Sequence, residues 1–169
     1  MKLWRGKLDQ IHLLKGLEAD ELAAVTGALQ REQFPAGTVI LDQGYGNLKL
    51  FILVEGKVQI LRKAGKLEAL IGVLEPFQTF GEMSVVDGRP VSATVRAESD
   101  VTALALSRDR FEALTAESPR LAARLWENLC RELVSRIRST TDQVQDYFAV
   151  NQALCENETF REFYRLYGL

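Results

Sequence analysis

Short apolar segments separated by glycines fill the middle of the chain, and this pattern limits the fold more than any other sequence feature. Between Glu32 and Ser107 the runs TVIL, LFILV, KVQIL and LEALIGVL are bounded by glycine or by a proline–glycine turn. Short apolar runs broken by turn signals are typical of antiparallel sheets in sandwiches and barrels. Small and apolar residues alternate with polar ones in SATVRA, which predicts a strand with one buried face. The middle of the chain is therefore predicted to be an antiparallel β-barrel.

Helical patterns flank this segment on both sides. Ser107 is a suitable N-cap for a helix over RDRFEALTA, and Ser118-Pro119 provides a second start with proline in the first turn. No glycine or proline interrupts the chain from there to Tyr147, so a long helix is predicted from Ser118 to about Tyr147. Apolar residues also recur at helix spacing in the part that precedes about Arg31: Leu22, Val25 and Leu29.

The long helix carries two apolar lines. One line alternates in steps of four and three residues, as in a heptad seam: Trp126, Cys130, Leu133, Ile137, Thr140, Val144 and Tyr147. The second line occupies a neighbouring face: Leu121, Leu125 and Leu129. Two apolar faces predict that one packs on the chain's own barrel and the other on a partner helix in a homodimer. A monomer in which the seam also packs on the barrel is the alternative.

These boundaries predict three parts. Residues 1–116 form the barrel with its N-terminal helices, residues 117–150 form the long helix, and residues 151–169 form an aromatic-rich tail helix. The tail is predicted to cap an apolar patch, and a lid or a docking helix for another protein is the alternative. Its aromatic side chains recur at helix spacing: Phe160, Phe163, Tyr164 and Tyr167.

Composition argues against several classes of protein. The 21 basic and 23 acidic residues nearly cancel, so no general attraction to nucleic acid or to an anionic membrane is expected. The segment MKLWRGKL lacks the apolar run of a signal peptide, and a cytoplasmic location without membrane association is predicted. Cys130 and Cys155 are expected to be free thiols. His12 is the one histidine, so neither a metal cluster nor a Ser-His-Asp triad is expected, and the chain is predicted not to be an enzyme.

The stretch GEMSVVDGRPVSATV, from Gly81 to Val95, has the composition of a loop that holds an anion. Together with PAGTVILDQG, LFILVEGKVQIL and SATVRAESDVTALALSRDRF, it resembles the cyclic-nucleotide-binding domains of the catabolite activator protein and of kinase regulatory subunits. The likeness covers roughly Leu8 to Asn128. The resemblance implies a jelly roll with N-terminal helices and a long C-terminal helix, which in the family often forms the dimer interface.

The resemblance also implies a ligand site, with cyclic AMP or cyclic GMP as the expected ligand. Glu82 matches the family carboxylate that accepts a hydrogen bond from the ribose hydroxyl. Ser92 and Ala93 match the small residues whose backbone amides reach the cyclic phosphate. A short helix after Gly81 is expected to direct free N–H groups towards that phosphate. The predicted site residues are Gly81, Glu82, Met83, Ser84, Arg89, Val91, Ser92 and Ala93.

Two positions depart from the family pattern. The arginine that pairs with the phosphate falls on Val91, and Phe77 stands where a glycine usually opens the turn before FGE. A charge-assisted hydrogen bond contributes about 1.5–3 kcal/mol. Burial of a phosphate without its counter-charge can cost about 3–5 kcal/mol. Loss of the arginine is therefore expected to lower cyclic-nucleotide affinity roughly ten- to several-thousand-fold. Arg89 or Arg96 could supply the charge instead, or the ligand could be less anionic or wholly apolar.

Three functions are weighed against these features. The first is a stand-alone regulatory sensor, in which a small molecule shifts the long helix or the dimer and so regulates a partner protein. The second is a structural or protein-interaction module that binds no ligand; a barrel plugged by Phe77, Val91 or the tail would favour it. The third is a DNA-binding regulator, which is not expected. Few residues follow Gln152, and Arg161 and Arg165 are offset there by glutamates.

Overall fold

The structure is a computed structural model that describes residues 8–65, 67–158 and 165. Two short 3-10 turns (Leu8–Gln10 and His12–Leu14) are followed by helix α1 (Ala19–Ala28). Three further helices are α2 (Glu82–Asp87), α3 (Arg108–Glu117) and α4 (Pro119–Glu156). The described residues also form eight strands: β1 (Gln30–Phe34), β2 (Val39–Leu41), β3 (Lys49–Glu55), β4 (Val58–Ala64), β5 (Leu67–Leu74), β6 (Thr79–Phe80), β7 (Thr94–Ala97) and β8 (Val101–Ser107).

The strands form two antiparallel sheets of four strands each, which confirms the predicted fold class. The sheet with the order β1-β8-β3-β6 is called the helix-side sheet. The sheet with the order β2-β7-β4-β5 is called the cassette-side sheet, because the segment Gly81–Val95, the cassette, leads into its strand β7. In the cassette-side sheet β4 lies beside β7, with Ile60 opposite Val95 and Leu61 opposite Thr94. Strand β4 also pairs with β5 in a hairpin that turns through Gly65, as the glycine pattern predicted.

Two apolar cores form on the two faces of the helix-side sheet. Strands β3 and β8 are apolar along nearly their whole length because both of their faces are buried. The barrel core lies between the two sheets and includes Leu41, Phe51, Leu53, Val58, Phe80, Val91, Val95 and Val101. The helix-side core lies on the opposite face and includes Ile11, Leu13, Val25, Leu50, Ile52, Leu104, Phe111, Leu121 and Leu125.

The predicted helix starts are confirmed by their capping hydrogen bonds. The Ser107 hydroxyl accepts a hydrogen bond from the backbone N–H of Arg110 at 3.3 Å, at the start of α3. The Ser118 hydroxyl accepts one from the N–H of Leu121 at 3.2 Å, at the start of α4. One of the two apolar lines on α4 packs on the chain's own barrel, as predicted, because all of its members are buried in the helix-side core: Leu121, Leu125 and Leu129.

Helix α4 extends beyond its predicted end, because it continues past Tyr147 to Glu156. The predicted boundary between residues 150 and 151 therefore falls inside the helix. The extension contains good helix formers and no glycine or proline. The chain divides into two compact units, and the division falls between Leu129 and Cys130. The tail aromatics Phe160, Phe163, Tyr164 and Tyr167 lie outside the described residues.

Among the described helices, none combines the length and apolar character needed to cross a membrane. Cys130 and Cys155 are both exposed, and neither forms a disulfide with another described residue. His12 is exposed.

A buried asparagine joins the N-terminal turns to the start of α4. The Asn128 side-chain amide donates hydrogen bonds to the backbone carbonyls of Leu13, at 3.0 Å, and of Lys15, at 2.8 Å. Leu13 belongs to the 3-10 turn His12–Leu14, and Lys15 directly follows it. Backbone carbonyls at such a helix end lack partners within the helix. Asn128 thus satisfies two acceptors that the local backbone leaves open.

Replacement of Asn128 by alanine is expected to lower the free energy of unfolding by about 2–3 kcal/mol. The variant loses two hydrogen bonds and leaves a buried carbonyl without a donor. Urea denaturation of Asn128→Ala beside Arg124→Ala measures the effect. Arg124 is an exposed residue one turn earlier, and its 3.4 Å ion pair with Glu127 should contribute less than about 1 kcal/mol. Equal losses in the two variants would show that Asn128 has no special structural role.

Candidate functional site

The cassette, Gly81–Val95, connects β6 to β7 and contains helix α2. The helix begins directly after Gly81, as predicted, and ends at Gly88. Both glycines have positive φ, at 77° and 69°, in the left-handed region that favours glycine. The two glycines thus allow a six-residue helix between two sharp changes of chain direction.

Gly81 lies against the backbone of β3, and this contact fixes the start of the cassette. A Cβ at this position would lie 2.7 Å from the Lys49 carbonyl oxygen. The Asn47 side chain links the two segments at this contact. Its amide donates a hydrogen bond to the Lys49 carbonyl at 2.6 Å and another to the Gly81 carbonyl at 3.4 Å. Glycine is therefore required at position 81 for both its backbone torsion and its lack of a side chain.

The predicted site residues of α2 divide into buried and exposed positions. Glu82 and Ser84 are buried, with 2% and 4% of their surfaces exposed, while Met83 is 48% exposed. The Met83 sulfur lies 3.6 Å from the Ser92 hydroxyl, which brings the two ends of the cassette together. The role of Glu82 as the sugar-binding acid stays a prediction.

Val91 is part of the barrel core and 6% exposed. Its backbone pairs with the preceding loop on both sides: its N–H donates to the Tyr45 carbonyl, and its carbonyl accepts from the Gly44 N–H, each at 2.8 Å. The aliphatic side chain at the position of the family arginine thus contributes to packing between the sheets, which is the arrangement that favours a module without a ligand. Two backbone hydrogen bonds therefore hold this part of the cassette against the loop after β2.

Phe77 takes the backbone conformation of the glycine that it replaces. Its φ is 78°, and it is the one non-glycine residue with positive φ in the described chain. This conformation costs about 1–2 kcal/mol for a residue with a side chain. The Phe77 ring packs against the helix-side core, and its N–H donates to the Leu53 carbonyl at 2.7 Å. Phe77 therefore does not fill the barrel core.

The two arginines considered from the sequence have different environments. Arg96 lies on the outward face of β7 and forms a 3.1 Å ion pair with Glu68 of β5, so it does not point towards the barrel interior. Arg89 is exposed, and its backbone N–H donates to the Asp87 carboxylate at 2.9 Å. Among the described residues, no partner of the Arg89 guanidinium is found.

A third arginine, which was not selected from the sequence, contacts the cassette directly. The Arg62 guanidinium donates a hydrogen bond to the backbone carbonyl of Ser92. Arg62 follows Leu61 in β4, and the pairing of Leu61 with Thr94 brings Arg62 beside Ala93. The alternation of side chains along β4 could have indicated this position of Arg62 from the sequence, since Val58, Ile60 and Arg62 share one strand face.

A polar cluster on the outward side of the cassette-side sheet supports the loop that pairs with Val91. The Asp42 carboxylate accepts from the Lys63 ammonium group at 2.6 Å and from the Thr94 hydroxyl at 3.0 Å. These hydrogen bonds hold the pKa of Asp42 below its usual value. The cluster joins β4, β7 and the residues after β2 around the cassette.

The fold, the cassette and its two glycine turns agree with a family model. Residues 31–118 match the model of the cyclic nucleotide-binding domain. The chain therefore belongs to the cyclic nucleotide-binding domain family.

Two similar proteins show how much of the chain the likeness covers. The CRP-like cAMP-activated global transcriptional regulator of Mycobacterium tuberculosis is 32% identical over 136 residues, which are 79% of this chain and 58% of that protein. The cyclic AMP receptor protein of Thermus thermophilus is 34% identical over 122 residues, 72% of this chain and 56% of that protein. The chain thus spans little more than half the length of these relatives.

A solved structure agrees with the same assignment. The cyclic nucleotide-binding domain from Methylobacillus flagellatus is 25% identical and has a TM-score of 0.76. The match covers 83% of this chain and 79% of that chain. The likeness in fold therefore extends over most of this chain.

Proposed function

We propose that the protein is a regulatory module that binds a cyclic nucleotide at the cassette, with lower affinity than an arginine at position 91 would give. The observation that supports this most strongly is the geometry of the cassette. A buried carboxylate, two glycine turns and a fixed backbone are retained, although the family arginine is absent. Regulatory relatives such as the cAMP-activated regulator of Mycobacterium tuberculosis support the same class of function.

The ligand's sugar and phosphate have separate partners in this proposal. Glu82 accepts a hydrogen bond from the ribose hydroxyl, while the backbone N–H groups of Ser92 and Ala93 donate to the phosphate. Within residues 8–65 and 67–158, neither of these two N–H groups donates to another residue. Both amides are therefore available to an anion without breaking a protein hydrogen bond.

The proposed weakness of binding follows from Val91. An aliphatic side chain cannot donate to the phosphate, and a charge-assisted hydrogen bond contributes about 1.5–3 kcal/mol. An arginine at this position would thus add roughly ten- to a hundredfold in affinity. The proposed ligand remains a cyclic nucleotide because the retained groups fit a sugar phosphate.

Thermal unfolding with added ligand tests the proposal. At a ligand concentration equal to the dissociation constant, the stabilisation is about 0.4 kcal/mol, which corresponds to a shift of about one degree. We expect a small, concentration-dependent increase in Tm with millimolar cyclic AMP or cyclic GMP, and a smaller one with ribose 5-phosphate, which has the sugar and the phosphate but no base. No shift with either cyclic nucleotide at 10 mM would favour the second candidate, a protein-interaction module that binds no ligand.

That second candidate is supported by the exposed apolar side chains of α4 after Cys130. Seven large apolar residues are at least 42% exposed there: Val134, Ile137, Val144, Tyr147, Phe148, Val150 and Leu154. Exposed apolar residues in this number on one helix indicate an interaction surface. We propose that this surface forms a homodimer, through which a sensor or an interaction module could act on a partner protein.

Replacement of Ile137 by aspartate is expected to weaken the homodimer. Ile137 is 65% exposed and occupies the predicted seam. A carboxylate buried there should cost about 3 kcal/mol or more, equal to roughly a hundredfold weaker association. Analytical ultracentrifugation of Ile137→Asp beside Ser139→Asp measures the effect, because Ser139 lies on the opposite side of the helix. Equal association of both variants, or a monomeric wild type, would exclude this interface.

A further inference from the structure

Arg62 is placed where a ligand's phosphate would meet the cassette. It lies on the same face of β4 as Val58 and Ile60, whose side chains belong to or pack against the barrel core. Strand register brings Arg62 beside Ala93, one of the two residues whose N–H groups are available. The guanidinium therefore reaches the cassette from the neighbouring strand.

The hydrogen bond that Arg62 forms in this structure competes only weakly with a phosphate for its guanidinium. Its guanidinium donates to the neutral backbone carbonyl of Ser92. Within the described residues Arg62 forms no ion pair, and its side chain is exposed. A guanidinium has five N–H donors in a planar fork that matches phosphate oxygens. Its remaining donors are thus free to bind a phosphate without the loss of an ion pair.

We propose that Arg62 supplies the positive charge that pairs with the ligand's phosphate, in place of the residue at position 91. This inference rests on the proposed function, since it concerns the same ligand and the same cassette. The phosphate is bound between the guanidinium of Arg62 on one side and the N–H groups of Ser92 and Ala93 on the other. The cation comes from β4, whereas in the family pattern it comes from the cassette itself.

The other arginines near this region are less suited to the role. Arg96 faces outward and is paired with Glu68. Arg108 is paired with Glu112 at 2.7 Å. Arg89 is exposed, and within the described residues its side chain forms no hydrogen bond with Ser92 or Ala93. Arg89 is therefore the competing candidate from the same cassette, expected to contribute less than Arg62.

Binding of cyclic AMP and of adenosine tests the proposal, because adenosine has the same base and sugar but no phosphate. Ligand-observed NMR titration of the full chain measures both affinities in the millimolar range. Arg62→Gln is expected to weaken cyclic AMP binding about tenfold or more. The same variant should leave adenosine binding unchanged. Arg89→Gln tests the competing candidate and should retain more of the cyclic AMP affinity than Arg62→Gln does. Arg62→Lys, which keeps the charge, is expected to retain part of the affinity.

The outcomes separate this inference from the proposed function. If the wild type binds cyclic AMP and Arg62→Gln binds it equally well, the role of Arg62 is excluded while the function stands. A loss of cyclic AMP binding in Arg89→Gln alone has the same meaning. An equal loss of cyclic AMP and adenosine binding in Arg62→Gln also contradicts phosphate pairing. If the wild type binds no cyclic nucleotide, both proposals fail. Circular dichroism and Tm of each variant without ligand confirm that it is folded.

Discussion

Val91→Arg is expected to bind cyclic AMP about ten- to a hundredfold more tightly than the wild type does. The substitution restores the guanidinium that the family pattern places at this position, and a charge-assisted hydrogen bond contributes about 1.5–3 kcal/mol. Val91 lies directly before Ser92 and Ala93, so the new side chain starts beside both available N–H groups. Titration of both proteins with cyclic AMP measures the gain.

The same substitution is expected to destabilise the protein without ligand. Val91 is part of the barrel core, and a larger charged side chain should cost about 1–3 kcal/mol there. Val91→Met is the matched control, because it adds length without charge. It should lose stability in the same direction and gain no affinity. A tighter complex with Val91→Met, or no gain with Val91→Arg, would contradict a phosphate site at the cassette.

Gly56→Ala is expected to cause the largest loss of stability among the variants considered, about 4 kcal/mol. Gly56 has a φ of 84°, which is strained for any residue with a side chain. A Cβ would also lie 2.2 Å from the Asp100 carbonyl oxygen, so the backbone itself must shift. Losses of this size remove a large part of the 5–15 kcal/mol that is typical of a folded domain. Urea denaturation measures the effect.

Gly37→Ala separates the two causes of this loss. Gly37 has almost the same φ, 83°, but no atom lies within 4 Å of the place where its Cβ would be. This control should therefore lose only the backbone strain, about 1–2 kcal/mol. A loss as large in Gly37→Ala as in Gly56→Ala would show that the close approach to Asp100 contributes nothing.

The sequence predicted the features that depend on neighbouring residues. Glycine spacing and apolar runs predicted the antiparallel barrel, and Ser107 and Ser118 predicted two helix starts that their hydrogen bonds confirm. The alternation in SATVRA predicted a strand with one buried face, and Arg96 lies on the opposite face, where it pairs with Glu68. Each of these features is determined by backbone preferences over a few residues, which a local pattern contains.

The features that were missed depend on residues far apart in the chain. Strand β1 is largely polar, so it lacks the apolar alternation that indicated the other strands; it is recognised from its pairing with β8. Asn128 donates hydrogen bonds to Leu13 and Lys15, which precede it in the chain by 115 and 113 positions. Arg62 contacts Ser92 only because β4 pairs with β7. The end of α4 was placed too early because the sequence contains no stop signal there.

A crystal structure of the wild-type protein with cyclic AMP is the most direct test of how the phosphate is recognised. We predict density for the nucleotide at the cassette, with its phosphate oxygens within hydrogen-bonding distance of the Arg62 guanidinium and of the Ala93 N–H, and with Val91 still in the barrel core. Two results would contradict the proposal that Arg62 of β4 supplies the positive charge for the phosphate. One is a phosphate bound by Arg89 instead, and the other is a wild-type cassette without nucleotide at a cyclic AMP concentration that saturates Val91→Arg.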